Sequence, residues 1–318
     1  MTGIEWTDRT WNPIAGCSVY AAGCTNCYAM LLAGTRLKHH PLYEGLTDDT
    51  KAGPVFNGKL RAAPDGHPVW TWPLRTLTRF EAQHGRRPRV FVGDMSDLFH
   101  KDRDPRIISK TFAVIARASH IDFQVLTKRS DVLLDYITGT AAADLARQLY
   151  NLNKLIESGG AQGRGLDQWP LPNVWLGVSV ENQAAAEARI PNLLATPAAL
   201  RFLSVEPLLE SVDLQRLKVG EGKGAGPLAG YDVRLNLNSL AGAESIKLPA
   251  IDWVIAGHES GAKARAGQAQ WVRDVMLQCK DAGTPFFAKQ LCIHGRKMPM
   301  TVWPEDLKVR QFPPSPMQ

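Results

Sequence analysis

The sequence lacks any run of about 18 apolar residues, the length that a membrane-spanning helix requires. Its N-terminal segment also lacks the apolar stretch of a secretory signal peptide and instead carries Glu5 and Asp8. We therefore expect a cytoplasmic protein with no membrane partner. Among the 318 residues, 27 Gly and 21 Pro are too few for a low-complexity chain. The sequence thus predicts a globular protein.

Cysteine is scarce, with five residues in the whole chain. A small, odd number of cysteines in a cytoplasmic protein argues against a disulfide framework. Charged residues make up 21% of the chain, and the net charge is +6. This modest positive balance is compatible with a nucleic-acid partner, although many basic proteins bind none. The sequence does not indicate an oligomeric state.

Short apolar segments of strand length are the most regular feature of the chain. Most are continuous rather than alternating, which is typical of strands buried on both faces of a parallel sheet. Segments of helical character separate them and favour right-handed strand–helix–strand units. The sequence therefore predicts an α/β fold, a parallel, partial TIM-like barrel with inserted loops. The predicted strands lie near 10–16 and at 89–93, 122–127, 174–180, 200–205, 253–257 and 285–289.

A single barrel domain is predicted to span residues 1–311. Two stretches near 39–72 and 218–249 interrupt the alternation of strands and helices and are predicted to be loop insertions. The second is rich in glycine at its start, and we place it over the mouth of the barrel. Residues 312–318 are expected to form a flexible tail.

Polar residues follow the strands at six successive carboxyl ends. In a parallel α/β barrel these ends open onto one face, which holds the active site. A single cluster is better explained as a polar loop or as the cap of the next helix, whereas six together favour a site. The clusters lie at 93–97, 127–129, 179–182, 204–207, 257–261 and 289–290.

Cys17, Cys24 and Cys27 form a C-x6-C-x2-C motif in one loop. Three thiolates so close in sequence can bind one metal centre and leave a coordination position open. The residues alone permit an iron–sulfur cluster, a zinc ion or three cysteines without a common role. The loop is predicted to join the first strand to the first helix, on the same face as the polar clusters. Two independent signals therefore indicate one site.

Longer motifs surround these residues. They are IEWTD at 4–8, TWNP at 10–13, GDMSDLF at 93–99, LTKR at 126–129, NVWLGVSVEN at 173–182, RFLSVEP at 201–207 and PFF-x-KQ at 285–290. Together with the cysteines, they resemble a phage and prophage protein family that has a three-cysteine motif. That family is in turn similar to the radical S-adenosylmethionine superfamily, which places three cysteines after the first strand of a partial barrel.

The resemblance implies a [4Fe-4S] cluster on Cys17, Cys24 and Cys27, with S-adenosylmethionine bound to the fourth iron. An electron from the cluster would cleave S-adenosylmethionine to a 5′-deoxyadenosyl radical, which abstracts hydrogen from a substrate in an enclosed site. A flavodoxin or ferredoxin would be the electron donor. Residues assigned to bind S-adenosylmethionine are Asp94, Ser96, Ser179, Glu181, Ser204 and Glu206. Residues assigned to face the substrate as catalytic groups are Lys128, Glu259 and Lys289.

Some features depart from the superfamily. Its usual spacing is C-x3-C-x2-C, its aromatic residue precedes the last cysteine rather than following it as Tyr28 does, and its glycine-rich motif after the second strand is replaced here by 93–96. These departures affect the residues expected to bind S-adenosylmethionine more than the cysteines.

The phage association implies a nucleic-acid substrate, and hence a protein of the host cytoplasm. The reaction implied is an isomerisation of an amino-acid-decorated thymine during hypermodification of phage DNA. Lys128 and Arg129 suit a phosphate or carboxylate of such a substrate. Two alternatives stay open: a zinc-dependent hydrolase with Glu259 as its base, and a non-enzymatic nucleic-acid-binding phage protein with a structural metal site.

Overall fold

Seven parallel strands form the central sheet. The computed structural model describes residues 3–139, 169–218, 236–237, 249–261, 263–293 and 296–316. Each sheet strand pairs with the next one along the chain, and the sheet curls into a half-barrel. The predicted partial TIM-like α/β fold is confirmed. The strands are β1 (Arg9–Trp11), β2 (Arg89–Val92), β3 (Asp122–Thr127), β4 (Val174–Ser179), β5 (Leu200–Val205), β6 (Trp253–Gly257) and β7 (Phe286–Gln290).

The α-helices of the described ranges lie between these strands. They are α1 (Tyr28–Gly34), α2 (Trp72–Arg75), α3 (Phe80–His84), α4 (Pro105–Arg117), α5 (Ser130–Thr138), α6 (Gln183–Ala195) and α7 (Ala269–Ala282). Helix α4 illustrates how the sequence sets a boundary. The Asp104 carboxylate accepts the backbone N–H of Arg106, and Pro105 occupies the first helical position, where no N–H is needed. Its apolar face then packs against the outer face of the sheet.

Aromatic side chains fill the amino-terminal half of the barrel interior. The rings of Trp175 and Trp253 are fully buried, with centroids 5.9 Å apart. Phe312 lies 5.4 Å from Trp253 between ring centroids, so the predicted tail begins with a packed side chain. This end of the barrel is therefore a packed core, and polar residues occupy the carboxyl end. The other members of the interior cluster are Trp6, Phe91, Leu200, Phe202, Ile255 and Phe287.

The predicted insertion near 39–72 is partly regular in structure. Residues 47–50 and 53–56 pair as an antiparallel ribbon that packs against α1, and residues 61–62 pair with 14–15. The predicted insertion at 218–249 lies outside the described residues except for 218, 236–237 and 249. In the described part of the chain, no helix has the length and apolar character needed to cross a membrane.

Candidate functional site

The loop that carries the three cysteines, residues 16–28, lies across the carboxyl ends of the strands. At its start, Gly16 forms an isolated bridge with Ser96, just after β2. In its middle, a Cβ atom on Gly23 would lie only 3.2 Å from Pro207, after β5, and 3.4 Å from Glu181, after β4. Glycine therefore allows the loop to approach these strand ends closely.

The end of the cysteine loop is fixed by Asn26. Its side-chain amide donates to Glu259 Oε2 at 3.0 Å and to the carbonyl oxygen of Lys263 at 2.8 Å. Because Glu259 follows β6, the loop is tied to the far side of the sheet. The predicted convergence of the cysteine motif with the polar strand ends is present in the structure.

Cys17 lies beside a buried ion pair. The Arg129 guanidinium donates to Cys17 Sγ at 3.8 Å, to Asp97 Oδ2 at 2.7 Å and to Ser18 Oγ at 2.9 Å. Burial raises the pKa of the Cys17 thiol to about 11, and nearby Asp97 acts in the same direction, whereas Arg129 opposes the rise. Arg129 thus faces the cysteine loop, and it is not available to hold a substrate phosphate as the sequence suggested.

Cys27 immediately precedes α1. Burial raises the pKa of its thiol, and Cys24 adds to this rise while Lys128 opposes it, so these three side chains interact electrostatically. All three cysteines of the loop are half-buried. Among the residues that the structure describes, no three His, Cys, Asp or Glu side chains form a group that could hold a single metal ion.

The acidic side chains at the strand ends are largely neutralised by basic partners. Each pair brings together two elements or braces one strand end, and each acid is shielded from solvent. Since buried carboxylates require such partners, these pairs explain the acids without a ligand. The pairs are Asp97–Arg129 at 2.7 Å, Glu181–Arg189 at 2.7 Å, Glu206–Lys289 at 3.0 Å and Glu259–Arg265 at 2.6 Å.

Among the charged residues at this face, Lys128 and Asp94 have no partner of opposite charge among the residues that the structure describes. In the described part of the chain, the half-buried Lys128 ammonium makes no hydrogen bond or ion pair, although it lies near Glu181 and Cys27. Asp94 has no cationic partner there either and is held by neutral donors, Asn12 at 2.5 Å and the Tyr28 hydroxyl. Burial therefore raises the pKa of the Asp94 carboxyl.

Some buried polar atoms at this face have no hydrogen-bond partner among the described residues. Ser96 Oγ is one, next to the start of the cysteine loop, and Arg103 Nε is another. Glu206 Oε1 is a third: Lys289 Nζ lies 3.0 Å away but directs its hydrogen bond to Oε2. Buried polar atoms without partners are rare in folded proteins, where water, an ion or a ligand commonly satisfies them.

The remaining predicted residues lie on neighbouring strand ends. Ser179 and Ser204 are paired in register between β4 and β5, and Ser204 Oγ donates to Glu206 Oε2 at 3.2 Å. The Ser179 carbonyl accepts from Arg189. A register shift between β6 and β7 after Ala256 accompanies the turn of Lys289 toward Glu206.

Two residues of the predicted polar clusters, Asn182 and His258, have structural roles in the fold. Asn182 is a helix cap, since its side chain accepts the backbone N–H of Ala185 at the start of α6. His258 is a buried structural group: its Nδ1 accepts the N–H of Cys292, so its Nε2 donates to the carbonyl of Gln268. The sequence analysis missed Asn26, Arg265 and Arg103. Only the position of Asn26 between Cys24 and Cys27 offered a signal.

Of the comparisons with known proteins, the family models alone give a match. No curated protein and no solved structure matches the chain. The matching family model covers residues 1–308, which include the cysteine loop, all seven strands of the sheet and their polar ends. The chain therefore belongs to the family described as "Protein of unknown function (DUF5131)".

Proposed function

We propose that this protein is a radical S-adenosylmethionine enzyme that holds a [4Fe-4S] cluster on Cys17, Cys24 and Cys27. The observation that carries the proposal is the position of the cysteine loop across the carboxyl ends of a parallel half-barrel. There it contacts the ends of β2, β4, β5 and β6. The carboxyl face is where barrels of this kind carry their active sites.

The three cysteines permit a cluster as well as a single ion. The described residues form no group of three His, Cys, Asp or Glu side chains that could hold one metal ion, and an iron–sulfur cluster is a larger centre that binds each thiolate at a different iron atom. The choice of a cluster over zinc rests on the sequence resemblance.

When bound, the cluster and S-adenosylmethionine would supply a 5′-deoxyadenosyl radical for hydrogen abstraction. Ser96 Oγ, which has no hydrogen-bond partner among the described residues, can donate to such a cofactor, and the Glu206 carboxylate can accept from it while Lys289 neutralises its charge. Asp94, Ser179, Glu181 and Ser204 surround the same face, although the Glu181 carboxylate is already bound by Arg189 at 2.7 and 3.0 Å.

The chain's own residues divide into binding and positioning groups. Lys128, with its free ammonium, is the group best suited to bind an anionic part of the substrate. Lys289 remains partly exposed and can donate to a ligand while it neutralises Glu206. Glu259 is a positioning residue in this scheme, because Arg265 and Asn26 occupy its oxygens. The aromatic core below the site excludes water from one side.

The substrate we propose is a modified base in phage DNA, an amino-acid-decorated thymine that undergoes isomerisation. The sequence resemblance suggests it, and the net charge of +6 and the free Lys128 agree with a polyanion carrying a carboxylate. The proposed electron donor is a flavodoxin or ferredoxin.

Metal analysis of anaerobically purified protein tests this proposal against its alternatives. We expect brown protein with broad visible absorption and about four iron and four sulfide per chain. Cys17→Ala, Cys24→Ala and Cys27→Ala should each lose the colour, whereas Cys279→Ala should keep it, because Cys279 is buried in the core of α7. Colourless protein with one zinc per chain would instead support the hydrolase or the structural metal site.

A further inference from the structure

Two buried guanidinium groups surround Cys17. Arg129 contacts the sulfur itself and also holds the next residue, Ser18. Arg103 is 7% exposed, lies within electrostatic range of Cys17 and leaves its Nε without a partner among the described residues. At Cys27, by contrast, the basic side chain that acts on the thiol in the described part of the chain is Lys128.

The charges around Cys17 do not balance. The buried Asp97 carboxylate accepts from Arg129 and lies within electrostatic range of Arg103, whose guanidinium donates to the Asp97 backbone carbonyl. His100 hydrogen-bonds to Ser18 at 2.8 Å, and burial lowers the pKa of its imidazole, which favours the neutral form. Two positive groups and one negative group therefore leave about one net positive charge beside this sulfur.

We infer that Arg129, supported by Arg103, is a positioning residue that donates an N–H···S hydrogen bond to Cys17 and raises the reduction potential of the cluster. This inference rests on the proposed function. Hydrogen bonds to cluster sulfurs, net charge and solvent exposure are the factors that set cluster potentials. A cation beside a thiolate ligand stabilises the more negative, reduced cluster, so one electron from the external reductant is accepted more readily. Arg129 keeps its proton throughout.

The experiment measures the midpoint potential of the cluster in the full-length protein, by anaerobic titration with dithionite followed by EPR. Arg129→Gln removes the charge while leaving a neutral amide, and it should shift the midpoint downward. At an applied potential equal to the wild-type midpoint, well below one half of the clusters in Arg129→Gln should be reduced. Arg129→Lys keeps the charge without the forked donor and should give a smaller downward shift.

A variant of opposite sign separates this effect from damage to the fold. Asp97→Asn removes the negative partner and leaves both guanidinium groups, so the midpoint should shift upward. If the substitutions merely disturbed the packing of the site, the midpoint potential would shift in the same direction in the Arg129 and Asp97 variants. The matched control is Arg87→Gln, which breaks an equally buried Arg–Asp pair, 2.7 Å from Asp122, at the amino-terminal end of the barrel. It should destabilise the fold without moving the midpoint.

The outcomes distinguish the inference from the proposed function. Wild-type protein that binds no iron–sulfur cluster overturns both. A cluster whose midpoint is unchanged in Arg129→Gln and Asp97→Asn, or moves in the same direction in both, overturns the inference alone. If neither Arg129 variant retains a cluster, the direction of the Asp97→Asn shift decides, and only an upward shift supports the inference.

Discussion

The side-chain amide of Asn26 lies 3.0 Å from Glu259 Oε2, although the two residues are 233 positions apart in the chain. This hydrogen bond joins the interval between Cys24 and Cys27 to the end of β6. Glu259 is itself fixed by Arg265, which donates to both carboxylate oxygens. The cysteine loop is therefore held in place from the opposite side of the sheet.

The first prediction concerns the hydrogen bond between Asn26 and Glu259. Asn26→Asp places a second carboxylate against Glu259, which is 6% exposed, and should lower the free energy of unfolding by about 1–3 kcal/mol. Hydrogen exchange of the metal-free protein should accelerate in residues 16–28. Thr25→Ala is the control, since the exposed Thr25 bonds only to a local carbonyl. Equal exchange in the two variants would show that Asn26 does not hold the loop.

The second prediction concerns Lys128, whose ammonium has no hydrogen bond or ion pair with the residues that the structure describes. Lys128→Gln should weaken DNA binding and reduce the slope of log K against log salt by about one unit, as for loss of one phosphate contact. Stability should hardly change, because the ammonium has no ion-pair partner in the described structure. Lys110→Gln, which removes a half-buried lysine paired with the exposed Asp65, should leave the affinity nearly unchanged. Identical salt slopes for wild type and Lys128→Gln would refute this role.

The third prediction concerns the pH dependence of stability at β1. Burial alone raises the pKa of the Asp8 carboxyl, but hydrogen bonds from Arg86 and from the Arg89 backbone outweigh this and hold the pKa below its usual 3.8. Because the pKa of this carboxyl is lower in the folded protein than in the unfolded chain, its charge stabilises the fold at pH values above the unfolded-state pKa. That stabilisation is lost as the pH falls through the folded-state pKa.

Asp8→Asn should therefore cost about 1 kcal/mol at pH 6, a modest value because the pair is partly exposed. The difference from wild type should shrink as the pH falls below 3.8. Urea denaturation at several pH values measures it. A difference that stays constant down to the acid limit would show that the carboxylate charge contributes nothing.

The fourth prediction concerns Phe312, which stacks between Trp253, Phe287 and the Arg89 guanidinium. Phe312→Ala should lower the free energy of unfolding by about 2–4 kcal/mol, because it removes an aromatic ring from the barrel core. Deletion of residues 316–318, which keeps the buried Pro313 and the hydrogen bond of Ser315 to Asp122, should have little effect. Urea denaturation of the two variants compares them, and equal stability would place the start of the tail before Phe312.

The sequence predicted the sheet well because its strands are buried on both faces and read as continuous apolar runs. The bounds of β3, β5 and β6 agree with the predicted segments at 122–127, 200–205 and 253–257. The first strand is shorter than predicted. Pro13 cannot donate to a sheet ladder, and residues 14–15 pair with 61–62 instead of continuing beside β2.

The site could be predicted only in part. Strand-end acids such as Glu181 and Glu206 were found, because parallel strands must end on one face. The basic residues that neutralise these acids were not predicted, because which Arg or Lys lies close to each acid depends on the tertiary structure. Arg189, in helix α6, binds Glu181, which lies 8 positions earlier in the chain. Lys289 binds Glu206 although the two residues are 83 positions apart. Lys128 and Arg129 are neighbours in sequence, yet Arg129 pairs with Asp97 whereas Lys128 has no ion-pair partner within the described ranges.

The central claim is most directly tested by the formation of 5′-deoxyadenosine. Reconstituted protein is incubated anaerobically with S-adenosylmethionine and dithionite, and the nucleoside product is quantified by chromatography and mass spectrometry. The account predicts 5′-deoxyadenosine from wild-type protein and its loss in Cys17→Ala, Cys24→Ala and Cys27→Ala. Wild-type protein that carries a cluster but yields no more 5′-deoxyadenosine than the cysteine variants would contradict it.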